Sequence, residues 1–192
     1  MLRRLYDRTM ALAAGPYAVP SLAAIAFIES SVFPIPPDIL LIPMVLARPH
    51  NAWRLALIAT IASVAGGYLG YAIGYFAFET IGRPILEFYH VMDRYDALKA
   101  SFDRWGVWII IAKGMTPIPY KLLTIASGAL KFDLGAFTIA SLISRSLRFF
   151  LVAALLWWFG EPVREFIEKR LGLVTSLFLV ALIGGFVVLR YL

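Results

Sequence analysis

Leu55–Phe78 is a run of 24 residues without a single charge, and it constrains the chain more than any other feature. A helix crossing ~30 Å of hydrocarbon needs about 20 apolar residues, so this run is long enough to span. Two further stretches have the character of spans. Leu173–Leu189 is charge-free over 17 residues, and Leu134–Phe159 has the length but carries Arg145 and Arg148 near its middle. The whole chain is 61% hydrophobic and only 16% charged, where soluble domains carry roughly 25% charge. A water-covered surface and a disordered chain are both excluded. The formal charge of +6 comes without a long basic run. It points to anionic lipid headgroups rather than nucleic acid. With no cysteine in the chain, disulfides, thiolate chemistry and cysteine-held metals are excluded. Residues 1–15, with Arg3, Arg4 and Arg8, read as a basic, partly amphipathic helix at the interface.

Two other apolar stretches do not read as simple spans. Pro20–Ala47 contains Glu29, Asp38 and the Pro34-Ile35-Pro36-Pro37 break; Val107–Leu130 contains Lys113, Lys121 and Pro117-Ile118-Pro119. Proline removes an amide donor and disfavours helix just before its ring. Each stretch is therefore expected to form two short arms around a turn: re-entrant hairpins over 20–47 and 107–130, with tips at Pro34, Pro36, Pro117 and Pro119. Such tips survive at membrane depth only when buried in protein or facing water. A shift of 83 positions lays Pro34-Ile35-Pro36-Pro37-Asp38 on Pro117-Ile118-Pro119-Tyr120-Lys121, so Pro-Ile-Pro and a following charge coincide. One span (55–78) separates the hairpins, which makes the second the inverted counterpart of the first. Transporters place sites between such repeats.

The predicted architecture is an all-α integral membrane domain. It has two inverted re-entrant helical hairpins, about three transmembrane helices (55–78, 134–159 and 173–191) and interfacial amphipathic helices, including a surface segment over 79–104. Basic residues divide eight to six between the two faces, a slight bias toward a cytoplasmic N-terminus.

Six ionisable residues lie inside the apolar segments: Glu29, Asp38, Lys113, Lys121, Arg145 and Arg148. At mid-bilayer each costs ~2.5–3.5 kcal/mol on insertion scales, together roughly 15–20 kcal/mol. Pairing, a water-filled cavity or a ligand must offset that cost. Residues near the arm ends have a plain alternative, snorkelling to the interface. Arg145 and Arg148 sit too deep for that and share a helix face at i, i+3 spacing; for them the plain alternative is structural pairing with Glu29 or Asp38. Two acids against four bases leave an excess of positive charge, which suits a phosphate held by arginine forks. An apolar approach to that charge suits a lipid phosphate. Lys113, Lys121, Arg145 and Arg148 are thus candidate phosphate ligands, and Glu29 and Asp38 candidate proton-linked acids.

Other motifs carry less. Gly66, Gly70 and Gly74 form a small-residue stripe beside Tyr68, Tyr71 and Tyr75, read first as a close helix contact. His50 and His90 have no metal-ligand partner at helical spacing, so no metal site and no cofactor are expected. Trp157 and Trp158 suit interfacial anchors. Ser127 and Lys121 lie on opposing faces of one arm, too poorly placed for a serine–lysine nucleophile, and no phosphate-binding loop is present. An enzyme is not expected.

The sequence Phe27-Ile28-Glu29 with Pro34, Pro36 and Asp38 resembles the DedA family of bacterial inner-membrane proteins, which share the VTT (SNARE-associated) domain. So do Gly66/Gly67, Gly70, Tyr71 and Gly74, and Lys113, Pro117, Lys121 and Ser127-Gly128. The likeness covers roughly residues 20–160. It implies two inverted hairpins and a multi-pass role in moving lipids across the inner membrane, undecaprenyl phosphate or phospholipids, with dependence on the proton-motive force. It further implies that Glu29 and Asp38 match the family's acidic positions. Lys113 and Lys121 stand where the family usually has arginine, and lysine lacks the planar fork. Arg145 and Arg148 are candidates to supply it. Membrane lipids, protons and a second copy of the chain are the expected partners. The alternatives are a proton-coupled carrier of a small solute or ion, and a scaffold whose charges are structural pairs.

Overall fold

In an apolar segment each backbone amide must find its partner nearby, and a helix supplies that partner within the segment itself. The computed structural model describes residues 15–32, 36–88, 90, 92–114 and 120–169, and every regular element among them is helical. They are α1 (Ala18–Glu29), α2 (Asp38–Ala47), α3 (Ala52–Ala77), α4 (Arg83–Phe88), α5 (Met92–Gly114), α6 (Tyr120–Ala129) and α7 (Leu134–Lys169). A 3-10 turn, Pro49–Asn51, leads into α3, and a π-helical turn, Phe78–Gly82, leaves it. Pro49–Gly82 and Leu134–Gly160 are long and apolar enough to cross a membrane. The expected spans at 55–78 and 134–159 fall within them. The expected interfacial helix, the 173–191 span, and Pro34, Pro117 and Pro119 lie outside the described residues.

The first proline break separates α1 from α2 as two helices of 12 and 10 residues. Ser30 and Ser31 close α1 by returning their hydroxyls to the carbonyls of Ala26, Phe27 and Ile28, which satisfies acceptors that a helix end leaves open. Pro37 then stands just before α2, where its missing amide is not needed. Asp38 occupies the first turn, where the helix dipole favours an anion.

Around the second break the boundaries differ from the sequence reading. The polar segment and the first arm are not separate: α5 runs unbroken for 23 residues from Met92 to Gly114. No proline stands in 104–107, and Gly106 is held inside the helix by packing, with the Phe132 ring where a Cβ would be. Similarly, α7 continues past residue 159 to Lys169, with a non-helical kink at Phe159 (φ −110°, ψ 19°) three residues before Pro162.

Helix α3 is the axis on which α1, α6 and α7 pack, and its glycines explain how. A Cβ on Gly66 would overlap the Phe27 carbonyl of α1; one on Gly74 would overlap the Ile125 carbonyl of α6. Gly128 of α6 makes the reciprocal contact with the Tyr71 carbonyl. The stripe is therefore a double backbone contact, one helix from each side of the repeat. Two apolar cores result. One joins Leu22, Leu41, Val45, Ala56 and Phe149 around the first break. The other joins Phe102, Ile110, Tyr120, Leu123 and Phe137 around the second.

Candidate functional site

The deep charges meet on one face of α7. Arg145 Nη2 donates to Glu29 Oε2 at 3.3 Å, and Arg148 Nη2 donates to Asp38 Oδ2 at 2.6 Å. The i, i+3 spacing presents both guanidinium groups on one side of α7. The first break presents both carboxylates, Glu29 at the end of α1 and Asp38 at the start of α2. The inner pair is the more enclosed: side-chain exposure is 2% for Arg145 and 13% for Glu29, against 27% for Arg148 and 19% for Asp38. The site thus deepens from Arg148 toward Arg145.

Arg145 is clamped as well as paired. Its Cζ lies 4.6 Å from the centroid of the Tyr120 ring and 4.7 Å from that of Phe149. The guanidinium charge faces two aromatic quadrupoles in a desolvated place, where each contact is worth up to about 2 kcal/mol. Phe149 is one turn along α7 from Arg145, and Tyr120 opens α6 directly after the second break. One arginine therefore ties the end of α1 to the start of α6.

A seam of buried hydroxyls runs beside these pairs. Ser30 Oγ lies 2.6 Å from Ser63 Oγ of α3 and 3.3 Å from Glu29 Oε2. Thr124 Oγ1 of α6 donates to the Ser30 carbonyl at 3.0 Å. Lys121 Nζ donates to the Val32 carbonyl at 3.1 Å, across the two breaks. The lysine is partly exposed, and among the described residues it meets no carboxylate.

The structure thus brings together Glu29, Asp38, Arg145 and Arg148, with Lys121 at the neighbouring break and Pro36 at the approach to α2. The backbone of Lys113 lies in the last turn of α5; its side chain is outside the described residues. Ser127 turns away from Lys121 and donates to the Leu123 carbonyl at 2.7 Å. Sequence reasoning did not single out Tyr120, Phe149, Ser30, Ser63, Thr124 or Ser141. An aromatic residue one turn after a buried arginine was a readable signal for Phe149. Tyr120 is carried to Arg145 only by the tertiary fold. Among the described residues, no cluster of three potential metal ligands forms.

At its far end the second half is fastened by its turn. Tyr71 Oη donates to the Phe132 carbonyl at 2.6 Å, Tyr95 Oη to Ala129 at 3.0 Å and Lys99 Nζ to Leu130 at 3.0 Å. Lys131, at φ 53°, pairs with Glu79, and that carboxylate holds its ammonium above the ordinary lysine value.

A helical domain with two membrane-length helices, one of them paired through buried charges to two short apolar helices, has the make-up of a membrane protein. The VTT domain matches residues 35–158, and the chain belongs to that family, the DedA family of membrane proteins. It is 36% identical over 184 residues to an uncharacterized protein of Haemophilus influenzae, covering 95% of each chain. It is 34% identical over 157 residues to an uncharacterized protein of Histophilus somni, covering 82% of each. No solved structure gives a significant match.

Proposed function

We propose that the chain is a lipid transporter, a flippase or scramblase, that moves a phosphate-bearing lipid across the bacterial inner membrane. A phospholipid or undecaprenyl phosphate fits this description. In this reading 20–47 and 107–130 are inverted re-entrant hairpins of a multi-pass protein, and the headgroup passes between their tips. The observation that carries it is the graded cationic face of α7. Arg148 is the accessible fork, Arg145 the enclosed one, and Lys121 stands at the neighbouring break with no carboxylate partner among the described residues. Lysine and arginine together attract a phosphate, and the apolar surroundings admit its chains. Glu29 and Asp38 hold the arginines and are the groups through which a proton would act on them.

The test is lipid movement in proteoliposomes carrying fluorescent phospholipids or a polyprenyl phosphate, with and without a pH gradient. Movement that disappears in Lys121→Ala and Glu29→Gln is the expected result, and dependence on the gradient separates driven flipping from scrambling. No movement of any lipid, with uptake of a soluble substrate instead, would replace this reading with a small-solute carrier. The closeness of both carboxylates to arginines favours one rival, a scaffold with structural ion pairs. Replacing the outer pair by neutral isosteres, Asp38→Asn with Arg148→Gln, discriminates: a scaffold keeps its function, whereas a phosphate site loses the fork at its mouth.

A further inference from the structure

Both ion pairs are made through a single guanidinium nitrogen. Arg145 and Arg148 each use Nη2, and the Nε of each is buried without a hydrogen-bond partner among the described residues. Asp38 Oδ1 is buried and unpartnered in the same way, and the buried Tyr120 and Ser141 hydroxyls face each other with no other partner among the described residues. An Arg Nε can only donate, and tyrosine and serine hydroxyls can donate. A hydroxyl also accepts, so the facing pair uses one of its two protons internally and the set keeps three donors to spare, the two Nε groups and one hydroxyl, against the single oxygen of Asp38. A buried polar atom left without a partner costs about 1–3 kcal/mol. Such a concentration on one face of α7 is unlike ordinary core packing, where more than about 90% of buried polar groups are matched.

The two arginine edges and the hydroxyl pair are also placed together. Ser141 and Arg145 are one turn apart on α7, and Arg148 follows at i+3. Tyr120 lays its ring on the Arg145 guanidinium. Tyr120 and Arg145 are almost wholly enclosed, and Ser141 wholly so. The missing chemistry is an acceptor with several oxygens.

We infer that Tyr120 and Ser141 are further phosphate-binding residues, which complete an oxyanion site with the Nε groups of Arg145 and Arg148. This deepens the transport reading and rests on it for the identity of the anion as a lipid phosphate. It also assigns the carboxylates a distinct part. Glu29 and Asp38 hold Nη2 of each arginine and so turn the Nε edges toward the anion, which binds with both ion pairs intact. Tyr120 contributes twice, its ring steadying Arg145 and its hydroxyl donating to the phosphate. The anion enters from the side of Arg148, the more exposed of the two arginines.

Two substitutions isolate the hydroxyls with little change in shape: Tyr120→Phe, which keeps the ring over Arg145, and Ser141→Ala. Binding of inorganic phosphate and of a short-chain prenyl phosphate is measured by calorimetry on the full chain in nanodiscs, with thermal unfolding as the folding control. One hydrogen bond to a charged acceptor corresponds to about tenfold in affinity, and each variant is expected to bind more weakly by that factor with little change in unfolding temperature. Weakening toward both probes assigns the hydroxyls to the bare anion. Weakening toward the prenyl phosphate alone assigns them to a headgroup held with its chain. Unchanged affinity for both probes in both variants overturns the assignment, even if unfolding temperatures fall, since that is what merely structural hydroxyls would give. Hydroxyl-dependent binding by a protein that moves no lipid would keep the site and remove the transport reading. Lipid movement undiminished in both variants, with binding unchanged, would do the reverse.

Discussion

The two proline breaks share a sequence pattern and treat their charges in opposite ways. At the first break, Glu29 and Asp38 each meet an arginine of α7, so its charges are neutralised by a helix outside the repeat. At the second, Lys121 reaches back to the Val32 carbonyl of the first break and keeps donors to spare. Pro-Ile-Pro followed by a charge sets the geometry of a break, and the sign of the charge decides what must come to meet it. Buried carboxylates demand a partner built into the fold. An ammonium on a long flexible stem can share a carbonyl and stay available to a ligand.

The comparison breaks most sharply at Arg145. Arg145→Ala removes the partner of Glu29 and leaves a hole between Tyr120 and Phe149. Breaking a buried pair costs about 3–5 kcal/mol, so the variant should lose most of its folded fraction in detergent unfolding assays. Lys121→Ala, on the second side, should unfold like the parent and lose transport. If Lys121→Ala proved equally destabilising, the contrast between the two breaks would be gone.

Next in size are the glycine contacts, which probe the two halves separately. Gly66→Ala presses α3 on the Phe27 carbonyl and Gly74→Ala on that of Ile125. Both neighbours are backbone, so each substitution should cost roughly 1–3 kcal/mol, read as a lower unfolding midpoint. A larger loss at Gly66 would mark the acidic half as the more tightly locked. Smaller effects follow at the hydroxyls. Ser63→Ala, on the first side, and Thr124→Ala, which links the two, should each cost about 0.6 kcal/mol, the average for hydrogen bonds between membrane helices.

The smallest effect is expected at Lys131. Its ammonium is held above the ordinary value by Glu79, so the pair contributes fully below the unfolded-state lysine value of about 10.4. That contribution fades as pH rises through the higher folded value. Lys131→Met should therefore narrow the difference in unfolding midpoint between pH 8 and pH 11. An unchanged difference would show that the turn is held by Tyr71, Tyr95 and Lys99 alone.

Much of the helix layout was legible beforehand. Leu55–Phe78 announces a membrane-length helix because nothing in it can face water at lower cost, and the prolines announce a helix end because a ring replaces an amide hydrogen. The continuity of α5 was not legible, since a change from polar to apolar composition does not interrupt a helix when its residues all tolerate helical geometry. In the candidate site, the residue types at Glu29, Asp38, Arg145 and Arg148 were readable from the cost of charge in an apolar segment.

What the sequence determined by itself was local: helix where the backbone has no other partner, a break where proline withholds one, and charges too deep to be accidental. Which acid meets which arginine was decided by the tertiary structure, because 116 and 110 residues separate the partners and either pairing satisfies the same charge balance. The choice follows from how α3 seats α1 and α6. Gly66 and Gly74 let both backbones close on one axis, and that closeness brings Tyr120 onto Arg145 while the first break faces α7. Attraction between charges acts in every direction, so a pattern of signs cannot specify a pairing. Only packed backbones fix distances finely enough to do so.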